Sequence, residues 1–121
     1  CNSIPNTKFY QNVYKIGKLM YKADLAVGAG GSSIWERFCL GLPTIVSIVA
    51  NHQQETTKAL SEKECLINVG LAKNLSVKKY VGIFENLDIK KLRSISKNSL
   101  KIVDGNGSVR VAKKIRLLQS T

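Results

Sequence analysis

With 121 residues, 44% of them hydrophobic, the chain has material for one domain around one core and not for two, so residues 1–121 are read as a single unit. Its three cysteines show no C-x-x-C spacing, which argues against a disulfide framework and a zinc site and makes a reducing cytoplasm the expected setting. The longest apolar run, Leu40 to Ala50 with Pro43 inside it, is 11 residues, short of the roughly 20 needed to cross a bilayer.

In chain order, short apolar strands alternate with helical patterns, as in a parallel sheet covered by helices. Phe9 and Tyr10 are assigned to a first short strand, and Ile16, Leu19, Met20 and Ala23 to one face of a helix. Leu25, Ala26 and Val27 form a buried strand that runs into a glycine-rich turn. A helix follows, presenting Ile34, Trp35, Phe38 and Cys39 and stopped by Gly41 and Pro43. Ile45 to Val49 is a buried strand, His52 to Lys63 a helix, and Leu66 to Val69 a strand. Val77, Tyr80, Val81 and Phe84 mark a helix after Ser76, and Asp88 starts another that runs to about Val103. Beyond the breaker from Asp104 to Gly107, Ser108 is expected to cap a last helix carrying Val109, Ala112, Ile115 and Leu118. Cys39 and Cys65 read as small buried hydrophobes.

The chemistry concentrates in residues 24–36, DLAVGAGGSSIWE. Gly28, Gly30 and Gly31 would let an anion approach the backbone and tolerate positive φ, and Ser32 and Ser33 can open a helix whose free N–H groups face a phosphate. Glu36 then sits where it can accept from sugar hydroxyls. Ser33 to Glu36 equally reads as S-x-x-E, a capping box in which the glutamate only reaches back to its own helix start. The common dinucleotide fingerprint is not met: Ser33 stands in the third glycine position and no acidic residue lies about 20 residues beyond. No Walker lysine follows the turn.

The wider string from Ala23 to Glu55, ADLAVGAGGSSIWERFCLGLPTIVSIVANHQQE, resembles the C-terminal half of GT-B-type nucleotide-sugar enzymes. It is most similar to the spore-coat polysaccharide family, which includes the UDP-sugar hydrolase of pseudaminic acid synthesis and is related to the peptidoglycan N-acetylglucosaminyltransferase. The GAGGSS-x-WE turn, Gly41-Leu42-Pro43, the Gln53 loop and Val103 to Gly107 fall in that family's order, from about Lys8 to Ile115. The resemblance implies an α/β, three-layer Rossmann-like parallel sheet, the nucleotide-binding C-terminal part of a GT-B fold. It also implies strand and helix units ahead of Phe9 and a whole N-terminal domain, so the chain, which begins at Cys1, is expected to be a truncated or excised piece. The family's catalytic histidine belongs to that other domain, and no catalytic residue is assigned here.

Carried over position by position, the resemblance implies that backbone groups at Asn12 and Val13 hold uracil. Gly30, Gly31, Ser32 and Ser33 hold the diphosphate, and Glu36 accepts from the ribose hydroxyls. Gln53 faces the sugar, and His52 stands where relatives often carry asparagine, so a sugar contact by it departs from the pattern. UDP or a UDP-sugar is the implied ligand, with no metal and no cofactor.

Charge suggests a rival. The formal net charge is +11, with 7 basic against 5 acidic residues up to Leu71 and 12 against 3 after it, so the C-terminal helices carry +9. Such a stripe suits nonspecific nucleic-acid binding or peripheral contact with an acidic membrane surface. No aromatic interleaving or recognition motif accompanies it, so no specific nucleic acid is expected. A solvated lysine-rich face, or an inactive structural fragment, is the plainer alternative.

Overall fold

The computed structural model describes residues 3–120. Helix α1 (Ile16–Lys22) leads to strand β1 (Ala26–Ala29), α2 (Ser33–Cys39) and β2 (Thr44–Ile48). A 3-10 turn (Asn51–Gln53) continues into α3 (Gln54–Glu62), followed by β3 (Ile67–Leu71). A second 3-10 turn (Ala72–Asn74) then leads to α4 (Val77–Glu85), α5 (Ile89–Ile102) and α6 (Gly107–Gln119).

The strands form one parallel sheet in the order β1-β2-β3, with Val27 opposite Ile45 and Ile45 opposite Ile67, and with a register shift at Val46 and Ser47. This α/β arrangement is consistent with a Rossmann-like fold. The central strand has neighbours on both sides, and its Thr44, Ile45, Val46 and Ile48 are all buried, as the nearly continuous apolar run of β2 requires. β1 lies at an edge, and its Val27 is 52% exposed.

Packing follows from the helical period. Ile34 and Phe38, one turn apart on α2, meet Val46, Leu60, Cys65 and Leu66 in the core, with Val103 against them. α2 ends where Gly41 N–H donates to Phe38 C=O and Leu42 N–H to Arg37 C=O, each at 3.0 Å, the paired bonds of a Schellman motif. Gly41 has φ +60, and a Cβ on it would lie 2.9 Å from Leu100 and Ser96 of α5, so the position needs glycine for both reasons. Ser76 Oγ accepts from Lys79 N–H at 3.2 Å and Asp88 Oδ1 from Lys91 N–H at 2.7 Å, so α4 and α5 start at side-chain caps.

Four expectations are corrected. Phe9 and Tyr10 form no strand and are 69% and 55% exposed, because no neighbouring strand is there to take their backbone bonds. Three strands rather than about four are therefore present among the described residues. Cys39 is exposed, whereas Cys65 is buried, as expected, and burial pushes its thiol up. Ser108 is the second residue of α6 rather than its cap: Asn106 takes that place without a side-chain bond. No described helix is long and apolar enough to cross a membrane.

Candidate functional site

In a parallel sheet all the strand carboxyl ends emerge on one side, which is where open α/β sheets bind ligands. On that side β1 gives way to Gly30-Gly31-Ser32 and β2 to the loop that coils into Asn51–Gln53. These two segments enclose a cleft of about 200 Å³ lined by Gly30, Gly31, Ser32, Ile34, Trp35, His52, Gln53 and Thr56. A larger, more apolar depression of about 630 Å³ lies beside Asp24 and Pro43, at the amino ends of β1 and β2, where the topology gives no ligand crevice.

Gly28 and Gly30 are required for close approach and not for their φ. Positive φ occurs at Gly41, Gly70 and Gly105 and not in the turn. At Gly30 a Cβ would come within 2.6 Å of Thr57 Oγ1 and 3.3 Å of Gln53 Cβ, so the turn rests directly on the start of α3. At Gly28 it would lie 2.7 Å from Arg37 Nη2. At Gly31 the nearest atom would be Gln53 Nε2 at 3.8 Å, which leaves room for a methyl group.

The backbone donors divide unequally. Gly30 N–H is spent on Ser47 C=O at 3.1 Å, while Ile34 and Trp35 N–H turn back to Gly31 and Ser32 C=O, each at 3.1 Å. The N–H groups of Gly31, Ser32 and Ser33 find no acceptor among the described residues. Three consecutive unspent donors are what an anion needs. α2 has seven residues, so these donors matter more than any macrodipole.

The capping box does not form. Ser32 is the N-cap, with no side-chain bond, and Ser33 lies inside the helix, where its Oγ accepts from Arg37 Nη2 at 2.7 Å. Glu36 is exposed in the first turn and makes no hydrogen bond among the described residues. Burial pushes the Arg37 guanidinium below its ordinary proton affinity, and the neighbouring Glu36 carboxylate acts the other way.

Across the cleft, Gln53 is buried and its Oε1 accepts from Val49 N–H at 3.0 Å. One of the two lone pairs of Oε1 is thereby used, and the Nε2 protons are free to donate to a ligand. His52 is exposed on the 3-10 turn. The cleft thus brings together Gly30, Gly31, Ser32, His52 and Gln53, with Ser33 and Glu36 on the adjoining helix. Asn12 and Val13 do not line it: they lie in irregular chain ahead of α1, Asn12 with φ 54.

Sequence reasoning missed Trp35, Thr56 and Arg37. The apolar pattern groups Trp35 with Ile34 and Phe38, yet it is 40% exposed on the cleft wall, edge-on to Phe38 with ring centroids 6.1 Å apart. The available signal was angular: Ile34 and Phe38 already define the buried stripe, and Trp35 stands about 100° from Ile34. Thr56 follows Gln53 by three residues, which puts both on one side of the turn entering α3. Among the described residues no group of three or more His, Cys, Asp or Glu is placed to hold a metal ion.

A parallel α/β domain with a glycine-rich turn opposite a polar loop is the class that fold and cleft define. Among curated proteins the chain is similar to the spore coat polysaccharide biosynthesis protein SpsG of Bacillus subtilis (strain 168), with 29% identity over 109 residues, 88% of this chain. It spans 32% of the length of that relative. No family model matches the chain.

Proposed function

We propose that the chain is the nucleotide-sugar-binding part of a GT-B-type UDP-sugar hydrolase or glycosyltransferase that serves cell-surface polysaccharide synthesis, of spore coat or nonulosonic acid. The observation that carries this reading is the row of unspent N–H groups on Gly31, Ser32 and Ser33, at a cleft whose opposite wall is Gln53 and His52. Similarity to a protein named for spore coat polysaccharide biosynthesis agrees with it.

In this reading the diphosphate lies on Gly30 to Ser33, with Gly30 contributing close approach and the next three residues the donors. Glu36 accepts from the ribose 2′ and 3′ hydroxyls, backbone at Asn12 and Val13 holds uracil, and the Gln53 amide donates to a sugar oxygen beside His52. The reaction is attack on the anomeric carbon by water or a sugar hydroxyl, with UDP leaving. The turn's N–H groups stabilise the charge that develops on the β-phosphate. The group that moves protons belongs to a separate N-terminal domain, so the chain by itself binds UDP and does not turn over UDP-sugars.

NMR titration with UDP, CMP and deoxyuridine diphosphate tests the reading. UDP should shift the amides from Gly30 to Glu36 most, and Glu36→Ala should weaken UDP by about 1.5 to 3 kcal/mol, the range for hydrogen bonds to a charged group. Helix content should stay unchanged, since Glu36 caps nothing. Equal shifts from all three nucleotides would remove the ribose assignment.

A further inference from the structure

Two buried side-chain atoms among the described residues lack a hydrogen-bond partner, Arg37 Nη1 and Thr57 Oγ1; the first lies against Gly28 of β1 and the second against Gly30 of the turn that follows it. For Thr57 the surroundings explain the position: its hydroxyl is wedged beneath Gly30, where a Cβ would come within 2.6 Å. Arg37 is harder to account for as packing alone. The residue is 9% exposed, its guanidinium covers Gly28 so closely that a Cβ there would lie 2.7 Å from Nη2 and 3.1 Å from Nη1, and its hydrogen bond goes to the neutral Ser33 hydroxyl. No carboxylate pairs with it, since the ion pair among the described residues joins Arg110 to Asp104.

An arginine stays protonated inside a protein, and a buried cation with no direct ion pair, Glu36 acting on it only through space, is unfavourable. Ile34 and Phe38 already supply the apolar stripe of α2, so the core does not need a long side chain at position 37. What the position does give is a permanent positive charge directly behind the glycine-rich turn, one helical turn from Ser33.

We infer that Arg37 is a positioning residue of the phosphate site, holding Ser33 Oγ as an acceptor so that the hydroxyl proton is donated outward to a phosphate oxygen, and setting a fixed charge that favours a diphosphate over a neutral nucleoside. The inference rests on the nucleotide reading of the cleft. It also assigns a reason to Gly28: the guanidinium occupies the space a Cβ would need. Ser33 as a residue is only partly buried.

The test compares UDP with uridine by NMR titration at low salt, using the full 121-residue chain and its variants Arg37→Met, Arg37→Lys and Ser33→Ala. Arg37→Met should weaken UDP about tenfold or more while uridine stays within about twofold, because only the charge-assisted part is lost. Arg37→Lys should fall between, since it keeps the charge without the planar fork. Ser33→Ala should reproduce part of the loss, and adding Arg37→Met to it should weaken UDP by less than Arg37→Met does alone.

If thermal unfolding shows that Arg37→Met does not fold, Arg37→Lys and Ser33→Ala decide in the same way. UDP and uridine weakening together would assign Arg37 a structural role and overturn the inference, as would UDP affinity unchanged in both Arg37→Lys and Ser33→Ala. Wild-type protein that binds UDP beside insensitive variants removes this inference alone. Wild-type protein that binds neither compound removes the nucleotide reading and this inference with it.

Discussion

The stretch from β1 to β3 and the helices that follow it handle their apolar residues in opposite ways. Among the described residues every buried hydrophobic residue except Ile95 lies between Ile34 and Val69, whereas α6 has no buried residue and leaves Val111, Ile115 and Leu117 60%, 53% and 65% exposed. Charge divides along the same line, with +9 of the net +11 after Leu71. Stability and the candidate site therefore share one small sheet with α2 and α3, α5 adds Ile95 and Ser99 to the interior, and α6 presents a basic surface with no buried residue. One consequence is that changes near the cleft risk the fold, while changes on α6 isolate surface electrostatics.

The sharpest way to break this contrast is to truncate one apolar side chain in each region. Phe38→Ala should lower stability by about 3 to 5 kcal/mol through lost burial and a cavity. Ile115→Ala should stay within about 0.5 kcal/mol, as exposed substitutions do. Urea denaturation of both variants checks the pair, and similar losses would mean that α6 is part of the cooperative core.

Salt separates the two regions by ligand. Any oligonucleotide binding through the C-terminal helices should show a log-log slope of roughly −0.7 to −0.9 per phosphate, so about four contacts lose roughly 50- to 150-fold between about 50 and 200 mM salt. UDP binding at the turn should change far less, because its donors are backbone N–H groups. Neutralising Lys90, Lys91, Lys113 and Lys114 should weaken the oligonucleotide and leave UDP nearly intact. Sequence-selective oligonucleotide binding that survives physiological salt, without UDP binding, would reverse the roles assigned to the two regions.

Within the turn, Gly30→Ala should destabilise by about 1 to 3 kcal/mol, as overpacking does, because its methyl group meets Thr57 and Gln53. Gly31→Ala should have little effect on stability, since its methyl group would make only an ordinary contact with Gln53. Thermal denaturation distinguishes them, and a tolerant Gly30 would show that the turn does not rest on α3 as described.

The smallest expected effect is at the junction of α5 and α6. Asp104 Oδ2 accepts from Arg110 Nη1 at 2.6 Å and Oδ1 from Asn106 N–H at 2.9 Å. The Arg110 hydrogen bond, then the Asn106 N–H, holds the carboxyl below its ordinary value, and Arg110 is correspondingly raised. A depressed acid contributes stability above its unfolded value and loses it as pH falls through the folded one. Acid titration followed at the Asn106 amide should therefore show the junction intact at neutral pH and loosening only below the usual carboxylate range, with Asp104→Asn already loosened at neutral pH. Both groups are solvent-exposed, so global stability should barely change.

Much of this architecture was written locally. The 3.6-residue spacing of Ile34 and Phe38, the caps at Ser76 and Asp88 and the stop at Gly41 and Pro43 each name an element through contacts among near neighbours in the chain, and the structure has these elements within a residue or two of where they were expected. The glycine-rich turn between strand and helix, and the loop carrying His52 and Gln53, were legible in the same way as candidate site segments. A two-residue strand at Phe9 and Tyr10 was not decidable locally, because a strand exists only if another offers it backbone partners. Cys39 reads as buried and Trp35 as part of the apolar pattern because an apolar residue on a helix looks the same whether or not a neighbour covers it. That Glu36 forms no capping box is visible only in the structure, which puts Ser33 inside the helix with its hydroxyl accepting from Arg37. The sequence alone determined the order and kind of most elements and the residues from which a site would be built. Tertiary structure alone decided which donors are spent, that Gly28 and Gly30 serve close approach rather than positive φ, and that a guanidinium lies buried behind the turn, because these depend on residues far apart in the chain meeting across the sheet.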